Sequence, residues 1–241
     1  MDKITIITVS YNAVSTIERT ILSVVTQTYL NIEYIIVDGG STDGTVDIIK
    51  KYESQITNWV SEPDRGVYDA MNKGISMATG EWVNFMNSGD CFYDQNVLVD
   101  FFYNDIEKDI SVLYGNTELV FEDKSKIQTK RSKFLRKYMP ACHQSIFCRL
   151  CLMKEFGFDI NYNYAADFRF FYIITVSKRG SKVYKNRVVA SYDAANGLSS
   201  LDKYLTYKEI LLASEKSYIF RSLLFYWFKI KSSIITLIDV G

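Results

Sequence analysis

The chain has 241 residues, 48% of them hydrophobic and 15% aromatic. That is enough apolar material for one large α/β domain or two tightly joined lobes, and it excludes a disordered or fibrous protein. Net charge is formally zero, yet residues 1–100 hold 6 Lys/Arg against 14 Asp/Glu while residues 101–241 hold 22 against 14. The acidic first half speaks against nucleic acid as a partner, and the basic second half suits a phosphate-bearing partner or an anionic membrane face, with ordinary solvated surface as the competing reading.

Only Pro63 and Pro140 are prolines and no Gly/Ser-rich stretch divides the chain, so no flexible linker is expected. The opening residues lack the charged, apolar and small-residue order of a secretory signal, and a cytoplasmic location is expected. Cys91, Cys142, Cys148 and Cys151 do not form a disulfide framework pattern. Cys142, Cys148 and Cys151 with His143 offer a zinc reading, because Cys148 and Cys151 have a C-x-x-C spacing, but that pair's segment reads as the start of an apolar helix, and buried thiols are the better reading.

Ile4–Ser10 is a continuous β-branched, apolar strand, followed by Ser15-x-x-Glu18, the spacing of a capping box, and a helical pattern through Ile17, Ile21, Leu22 and Val25. The unit recurs as a strand at Tyr34–Val37, a turn from Asp38 to Gly44 and a short helix at Thr45–Tyr52. A third strand, Ile56–Val60, leads through a polar loop at Ser61–Gly66 to a helix from Val67 to Ala78, then Gly80 and a fourth strand, Trp82–Met86. Successive βα units imply parallel pairing, so the first ninety residues are predicted to form an open, doubly wound sheet.

Ligands of such sheets bind beyond the carboxyl ends of the strands. The polar residues collect there: Ser10, Tyr11 and Asn12 after the first strand, Asp38 and Gly39 after the second, Asp64 after the third, and Asn87 to Asp90 after the fourth. Neither G-x-G-x-x-G after the first strand nor a P-loop is present, which removes the phosphate cradles of dinucleotide dehydrogenases and P-loop NTPases. Carboxylates cannot hold a diphosphate without a cation between them, so a divalent metal is implied. Asp38, beside Gly39 and Gly40, either accepts a hydrogen bond from a base imide or closes its strand as an Asx-turn, and the spacing leaves both open.

Three segments carry a resemblance: Thr8-Val-Ser-Tyr-Asn12, Asp38-Gly-Gly-Ser-Thr-Asp43, and Ser61-Glu-Pro-Asp-Arg-Gly-Val-Tyr-Asp-Ala-Met-Asn-Lys-Gly74. Together they resemble glycosyltransferase family 2, in the branch that assembles O-antigen and other bacterial surface polysaccharides. The likeness runs over roughly residues 3–195 and continues in Trp82-Val-Asn-Phe-Met-Asn-Ser-Gly-Asp90. It implies a GT-A type fold, a nucleoside-diphosphate sugar donor, usually UDP-linked, and inversion at the anomeric carbon. By the same resemblance Val9 and Tyr11 border the base, Asp38 holds the uracil edge with Gly39 beside it, and Asp64 sits by the nucleotide under the loop ending at Gly66. Asn72, Asn87, Ser88 and His143 are expected on the donor, with Asn87 reaching ribose or sugar.

Relatives carry a D-x-D metal motif after the fourth strand, but this chain reads Asn87-Ser-Gly-Asp90, leaving Asp90 as the one carboxylate for Mn²⁺ or Mg²⁺. A single carboxylate with phosphate oxygens and water still suffices for such a cation, held weakly before the donor arrives. The acceptor hydroxyl must lose its proton, and the position matching the family base is Asp167, at a predicted helix start ahead of Phe168–Val176. Stabilisation of the helix terminus is the competing role for that side chain. His143, in Pro140-Ala-Cys-His-Gln-Ser145, is either a contact to sugar or diphosphate or a satisfied structural residue.

From Lys124 to Lys137 there are seven Lys/Arg and no acid, a solvated hairpin or an acceptor contact. Residues 218–238 alternate aromatic and aliphatic groups with Arg221, Lys229 and Lys231 interrupting them, which reads as an interfacial helix or one packing on a second subunit of a homodimer, not a membrane span. The sequence thus predicts an α/β, GT-A type protein with a doubly wound, mostly parallel central sheet, helices on both faces and a C-terminal helical extension. Its divisions are a nucleotide-sugar half at 1–92, an acceptor and catalytic half at 93–199 and a C-terminal segment at 200–241. The expected activity is hexose transfer from a UDP-sugar to an undecaprenyl-diphosphate-linked saccharide, by a peripheral protein on the inner face of the cell membrane. The competing functions are an inactive nucleotide-sugar-binding subunit and, further off, a sugar nucleotidyltransferase, whose Gly-rich triphosphate loop is missing here.

Overall fold

The computed structural model describes residues 1–129, 138–195 and 202–214. Strands β1 (Ile4–Ser10), β2 (Ile32–Asp38), β3 (Asn58–Ser61) and β4 (Trp82–Phe85) pair in the order β3-β2-β1-β4, all parallel. Alternation of side chains along them dictates two apolar faces. Ile4, Ile6, Tyr34 and Ile36 pack with Ile17, Ile21 and Val24 of helix α1 (Ile17–Val25) and Ile49 of α2 (Thr45–Lys51). Their neighbours Ile7, Val9, Ile35 and Val37 pack with Tyr68, Met71 and Ile75 of α3 (Val67–Met77). Burial on both faces explains the unbroken apolar runs and realises the predicted doubly wound half. Helix α3 approaches closely because Gly74 has no side chain: a Cβ there would lie 2.5 Å from Cγ2 of Ile7.

Beyond β4 the sheet changes character, which the sequence reading left unassigned. β5 (Cys91–Phe92) and helix α4 (Val97–Phe102) precede β6 (Ile110–Val120), β7 (Ser125–Gln128) and β8 (Ile146–Arg149). Helices α5 (Leu150–Phe156) and α6 (Ala166–Val176) follow, then β9 (Ser181–Asp193) and α7 (Lys203–Ala213). β8 joins β4 antiparallel and continues the sheet through β6, β9 and β5, while β7 folds back on β6. One sheet therefore runs through the acidic and the basic halves of the sequence.

Two local expectations are corrected. The Ser15–Glu18 capping box does not form: the cap position is Thr16, whose hydroxyl donates to the Ala13 carbonyl, while Glu18 accepts from Lys51 Nζ at 2.6 Å and the Tyr52 hydroxyl at 2.7 Å. A tertiary tie between α1 and the end of α2 has outcompeted the local cap. Cys142 and Cys148 are buried thiols as expected, but Cys151 is exposed on α5. The start of the basic run forms the exposed strand β7; residues 130–137 and the segment 218–238 lie outside the described residues. Among the described residues no helix is long and apolar enough to cross a membrane.

The parallel block is pinned at its amino end by Glu33, opposite Thr5 in the β1–β2 register. Its buried carboxylate accepts from the Thr5 hydroxyl at 2.6 Å, the Thr79 amide at 2.7 Å and Lys3 Nζ at 3.1 Å. Burial pushes the carboxyl up, but these donors outweigh it and hold its pKa at about 2. With an ordinary value near 4.5 in the unfolded chain, the stabilisation is complete above that pH and is lost as pH falls toward about 2. Glu33→Gln is predicted to lower stability at pH 7 by about 1–3 kcal/mol and to flatten the acid limb of the stability profile, as read from urea unfolding between pH 2 and 7.

Candidate active site

The rim of the parallel block is built around one carboxylate. Ser10, Asp38 and Ser61 stand level on β1, β2 and β3. Asp38 Oδ1 accepts from the Ser10 hydroxyl at 2.9 Å and the Ser41 hydroxyl at 2.6 Å, and Oδ2 accepts from the Ser61 hydroxyl at 2.7 Å and the Gly40 and Ser41 amides at 3.1 and 2.8 Å. Burial pushes this carboxyl up, but the hydrogen bonds from Ser41, Ser61 and Ser10 prevail and hold it below its ordinary value. Asn12, at a positive φ of 46°, ties the first loop to the second: its amide donates to Ser41 Oγ and its side-chain oxygen accepts from the Thr42 amide.

Above this rim opens a cleft of about 1370 Å³, larger than the roughly 300–1,000 Å³ typical of a small-ligand pocket and so able to hold two substrates. Val9, Tyr11, Gly39, Asp64, Gly66, Asn87, Ser88, Asp90, His143 and Asp167 all line it. Two expected site residues do not. Asp38 is 0% exposed and both its oxygens are taken, so it shapes the loop as the Asx-turn reading has it and offers no edge to a base. Asn72 donates to the Phe158 carbonyl and accepts from the Phe158 amide, which fastens α3 to the chain after α5. At Gly39 a Cβ would meet Asp64 Oδ2 at 2.6 Å and the Tyr11 ring at 3.3 Å, so glycine is what lets those two side chains share one end of the cleft.

A line of polar contacts crosses the cleft floor from one half of the chain to the other. Asp167, in the first turn of α6, accepts from its neighbour's amide, Phe168, at 2.7 Å and from the Tyr68 hydroxyl of α3 at 3.2 Å, both through Oδ1. Its other oxygen faces His143 Nδ1 at 3.5 Å, and His143 Nε2 lies 3.3 Å from the Asn87 side-chain nitrogen. The imidazole thus stands between the Asn87 side chain and the Asp167 carboxylate. Tyr68 is buried, and burial together with the Asp167 charge raises its pKa, so its hydroxyl stays a donor. The arrangement leaves Asp167 Oδ2 as an acceptor within the cleft, the position a general base requires.

Asp90 is 5% exposed, and among the described residues its carboxylate accepts from Gln144 Nε2 at 2.7 Å and the Asp193 amide at 3.3 Å. Burial raises its pKa to about 6 against the opposing pull of His143 and Gln144. Two buried side-chain oxygens of the same wall, Asn87 Oδ1 and Gln144 Oε1, have no hydrogen-bond partner. Among the described residues no three His, Cys, Asp or Glu side chains cluster as a self-sufficient metal site. One carboxylate with unpartnered amide oxygens nonetheless fits a hard cation that takes most of its ligands from substrate phosphates and water.

Sequence reasoning passed over Tyr68, Arg65 and Gln144, all lining the cleft. Tyr68 and Arg65 stand inside the quoted Ser61–Gly74 block, and Gln144 directly follows His143. The adjacency was visible in the sequence, but the partners, Asp167 99 residues from Tyr68 and Asp90 54 residues from Gln144, were not.

The model for glycosyl transferase family 2 matches residues 5–159. An uncharacterized glycosyltransferase of Mycobacterium tuberculosis is 35% identical over 174 residues, 69% of this chain and 66% of that protein, so the chain spans about two thirds of that relative's length. A PGL/p-HBAD biosynthesis glycosyltransferase of Mycobacterium bovis is 31% identical over 204 residues, 81% of this chain and 78% of that one. Among solved structures, S. aureus TarS in complex with UDP-GlcNAc superposes with a TM-score of 0.66 at 18% identity, covering 92% of this chain and 70% of that one. The mannosyltransferase PcManGT from Pyrobaculum calidifontis, in complex with GDP-Man and Mn²⁺, gives 0.70 at 16% identity, covering 88% and 63%. These likenesses identify the fold as the GT-A arrangement, and with the family model matched over more than half of the chain, the chain belongs to glycosyl transferase family 2.

Proposed function

We propose that this protein is an inverting glycosyltransferase that moves a hexose from a UDP-sugar to a hydroxyl of a lipid-diphosphate-linked saccharide in surface polysaccharide synthesis, working peripherally at the cytoplasmic face of the membrane. The observation that carries the reading is Asp167: one oxygen held by Phe168 and Tyr68, the other turned to His143 in a cleft roomy enough for donor and acceptor. The nucleotide end is assigned to Val9, Tyr11, Gly39, Asp64 and Gly66, where the exposed Tyr11 ring offers a face for a base. The UDP-GlcNAc of TarS supports a uridine donor, while the GDP-Man of PcManGT marks how far donors vary on this fold.

In the reaction the acceptor oxygen attacks the anomeric carbon as its proton passes to Asp167 Oδ2, and the bond from that carbon to the diphosphate oxygen breaks. A single in-line displacement inverts the configuration. His143 orients Asp167 and turns its ring toward the diphosphate side through Asn87. Asp90, with Asn87 Oδ1, would hold Mn²⁺ or Mg²⁺, which supplies neutralisation of the charge on the departing diphosphate. Attraction of the basic second half to an anionic leaflet or a diphosphate-bearing lipid supports the choice of acceptor.

Asp167→Asn is predicted to lower kcat by about 10²–10⁴-fold with UDP affinity retained. The measurement is product mass from a panel of UDP-sugars offered with a synthetic lipid-diphosphate N-acetylhexosamine. Turnover equal to the parent's would remove the base assignment, and UDP binding without transfer from any donor would favour an inactive binding subunit. Asp90→Asn is predicted to abolish transfer and yet to stabilise the protein in EDTA. The penalty for burying the ionised carboxylate appears as pH rises from 3.8 to about 6 and is complete above it. Its removal is expected to raise stability by roughly 2–3 kcal/mol at pH 7.5 and by little at pH 4, as read from thermal melts at the two pH values.

A further inference from the structure

Helix α6 lacks a cap of its own: its N-cap residue is Ala165, whose side chain has no oxygen to offer the exposed amides. The three residues that lead into the helix are instead held from another element, 44 residues away. Glu209 of α7 accepts from three successive backbone amides, Asn163 at 3.0 Å through Oε1, and Tyr164 at 2.7 Å and Ala165 at 3.0 Å through Oε2. Three consecutive amides aimed at one anion form a concave backbone nest, and a carboxylate seated there fixes the dihedrals of all three residues together. It also lies at the positive end of α6, where an anion is favoured.

The clamped residues belong to the cleft. Asn163 and Tyr164 line it, and Asp167 lies two residues beyond the last clamped amide. A second tie holds the same two helices together: Arg169, one turn into α6, donates through Nη1 to the Ala213 carbonyl at the end of α7 at 2.9 Å. Helix α7 is itself well started, since Asp202 Oδ1 accepts from the Leu205 amide at 2.8 Å. The matched family model spans residues 5–159, and both the clamp and the helix that supplies it lie beyond it.

We propose that Glu209 is a positioning residue for the transfer reaction: through the 163–165 nest it sets the direction in which Asp167 enters the cleft, making α7 part of the catalytic apparatus. This rests on Asp167 as the base, as argued above. The donor end of the cleft is built on the carboxyl ends of β1 to β3, and the hydrogen bonds of Glu209 run to residues 163–165, so clamp and donor affinity are separable.

The test compares Glu209→Ala and Glu209→Gln with the full-length parent in two readouts. Hydrogen exchange needs no substrate: amides 163–168 are expected to lose protection in Glu209→Ala, those of β1 to β4 to keep it, and Glu209→Gln, which retains one acceptor oxygen, to fall between. In kinetics, Glu209→Ala is expected to lower kcat by about 10–100-fold, the effect of a misplaced catalytic group, with partial rescue in Glu209→Gln. The donor KM is expected to stay within about twofold of the parent's, since a transition-state interaction alone is lost. Unchanged exchange at 163–168, protection lost evenly across the sheet, or local loss of protection with kcat intact would each overturn the proposal. If the parent transfers sugar from no donor the functional reading fails on its own, and the exchange pattern alone then decides whether the clamp exists.

Discussion

Five donors from the ends of three strands converge on the buried carboxylate of Asp38, and the geometry of the cleft depends on that convergence. Parallel pairing brings Ser10, Asp38 and Ser61 to one level, but by itself it leaves the loops that follow free to splay. The carboxylate removes that freedom, because any loop that moved away would leave a charge or a donor unpaired in a buried site, at about 1–3 kcal/mol for each lost partner. Ser41 extends the constraint by accepting from the Asn12 amide while donating to Asp38, so the first and second loops move together or not at all.

Three buried carboxylates allow a comparison that separates frame from function. Glu33 and Asp38 sit at opposite ends of β2, each surrounded by several donors, and both are held below their ordinary pKa despite burial. Asp90 lies deeper and meets two donors, and burial prevails, carrying it up to about 6. The satisfied pair are ionised and inert, closing the sheet at each end. The under-satisfied one faces the cleft beside unpartnered amide oxygens, an acceptor-rich wall unlike the donor-filled surroundings of the other two.

The parallel block was legible in the sequence because its signals are local: unbroken apolar runs, a turn or polar loop after each, and helices of the right period between them. Asp167 and His143, which the structure places in the cleft, were singled out only through resemblance, since nothing local distinguishes a candidate base from a helix-start aspartate. What escaped were contacts of long sequence separation. Asp38 looked equally suited to a base edge and to a turn, and only the level placement of Ser10 and Ser61 on neighbouring strands decides for the turn. The capping box at Ser15 was a sound local pattern overridden by Lys51 and Tyr52, 33 and 34 residues away from Glu18. The mixed extension beyond β4 had no comparable signature, since β6 and β9 are long parallel-paired strands with register shifts whose partners are set by the rest of the sheet.

Bond lengths divide the cleft into a stiff frame and a loose centre. Around Asp38 and under Glu209 the contacts run from 2.6 to 3.1 Å, ordinary to short hydrogen bonds that fix backbone. Along the floor, Tyr68 to Asp167, His143 to Asn87 and His143 to Asp167 stand at 3.2, 3.3 and 3.5 Å, at or beyond the edge of normal hydrogen bonding. A base whose second oxygen were held as tightly as its first would have to break that bond before taking a proton. Catalytic contacts that tighten only around the reacting groups avoid this cost, because the energy of the short bond is realised in the transition state and not before it. The frame must then be rigid on both sides for the loose centre to be aimed at all, which is why a carboxylate knot at the sheet rim and a carboxylate clamp ahead of α6 serve the same end under the proposed reading.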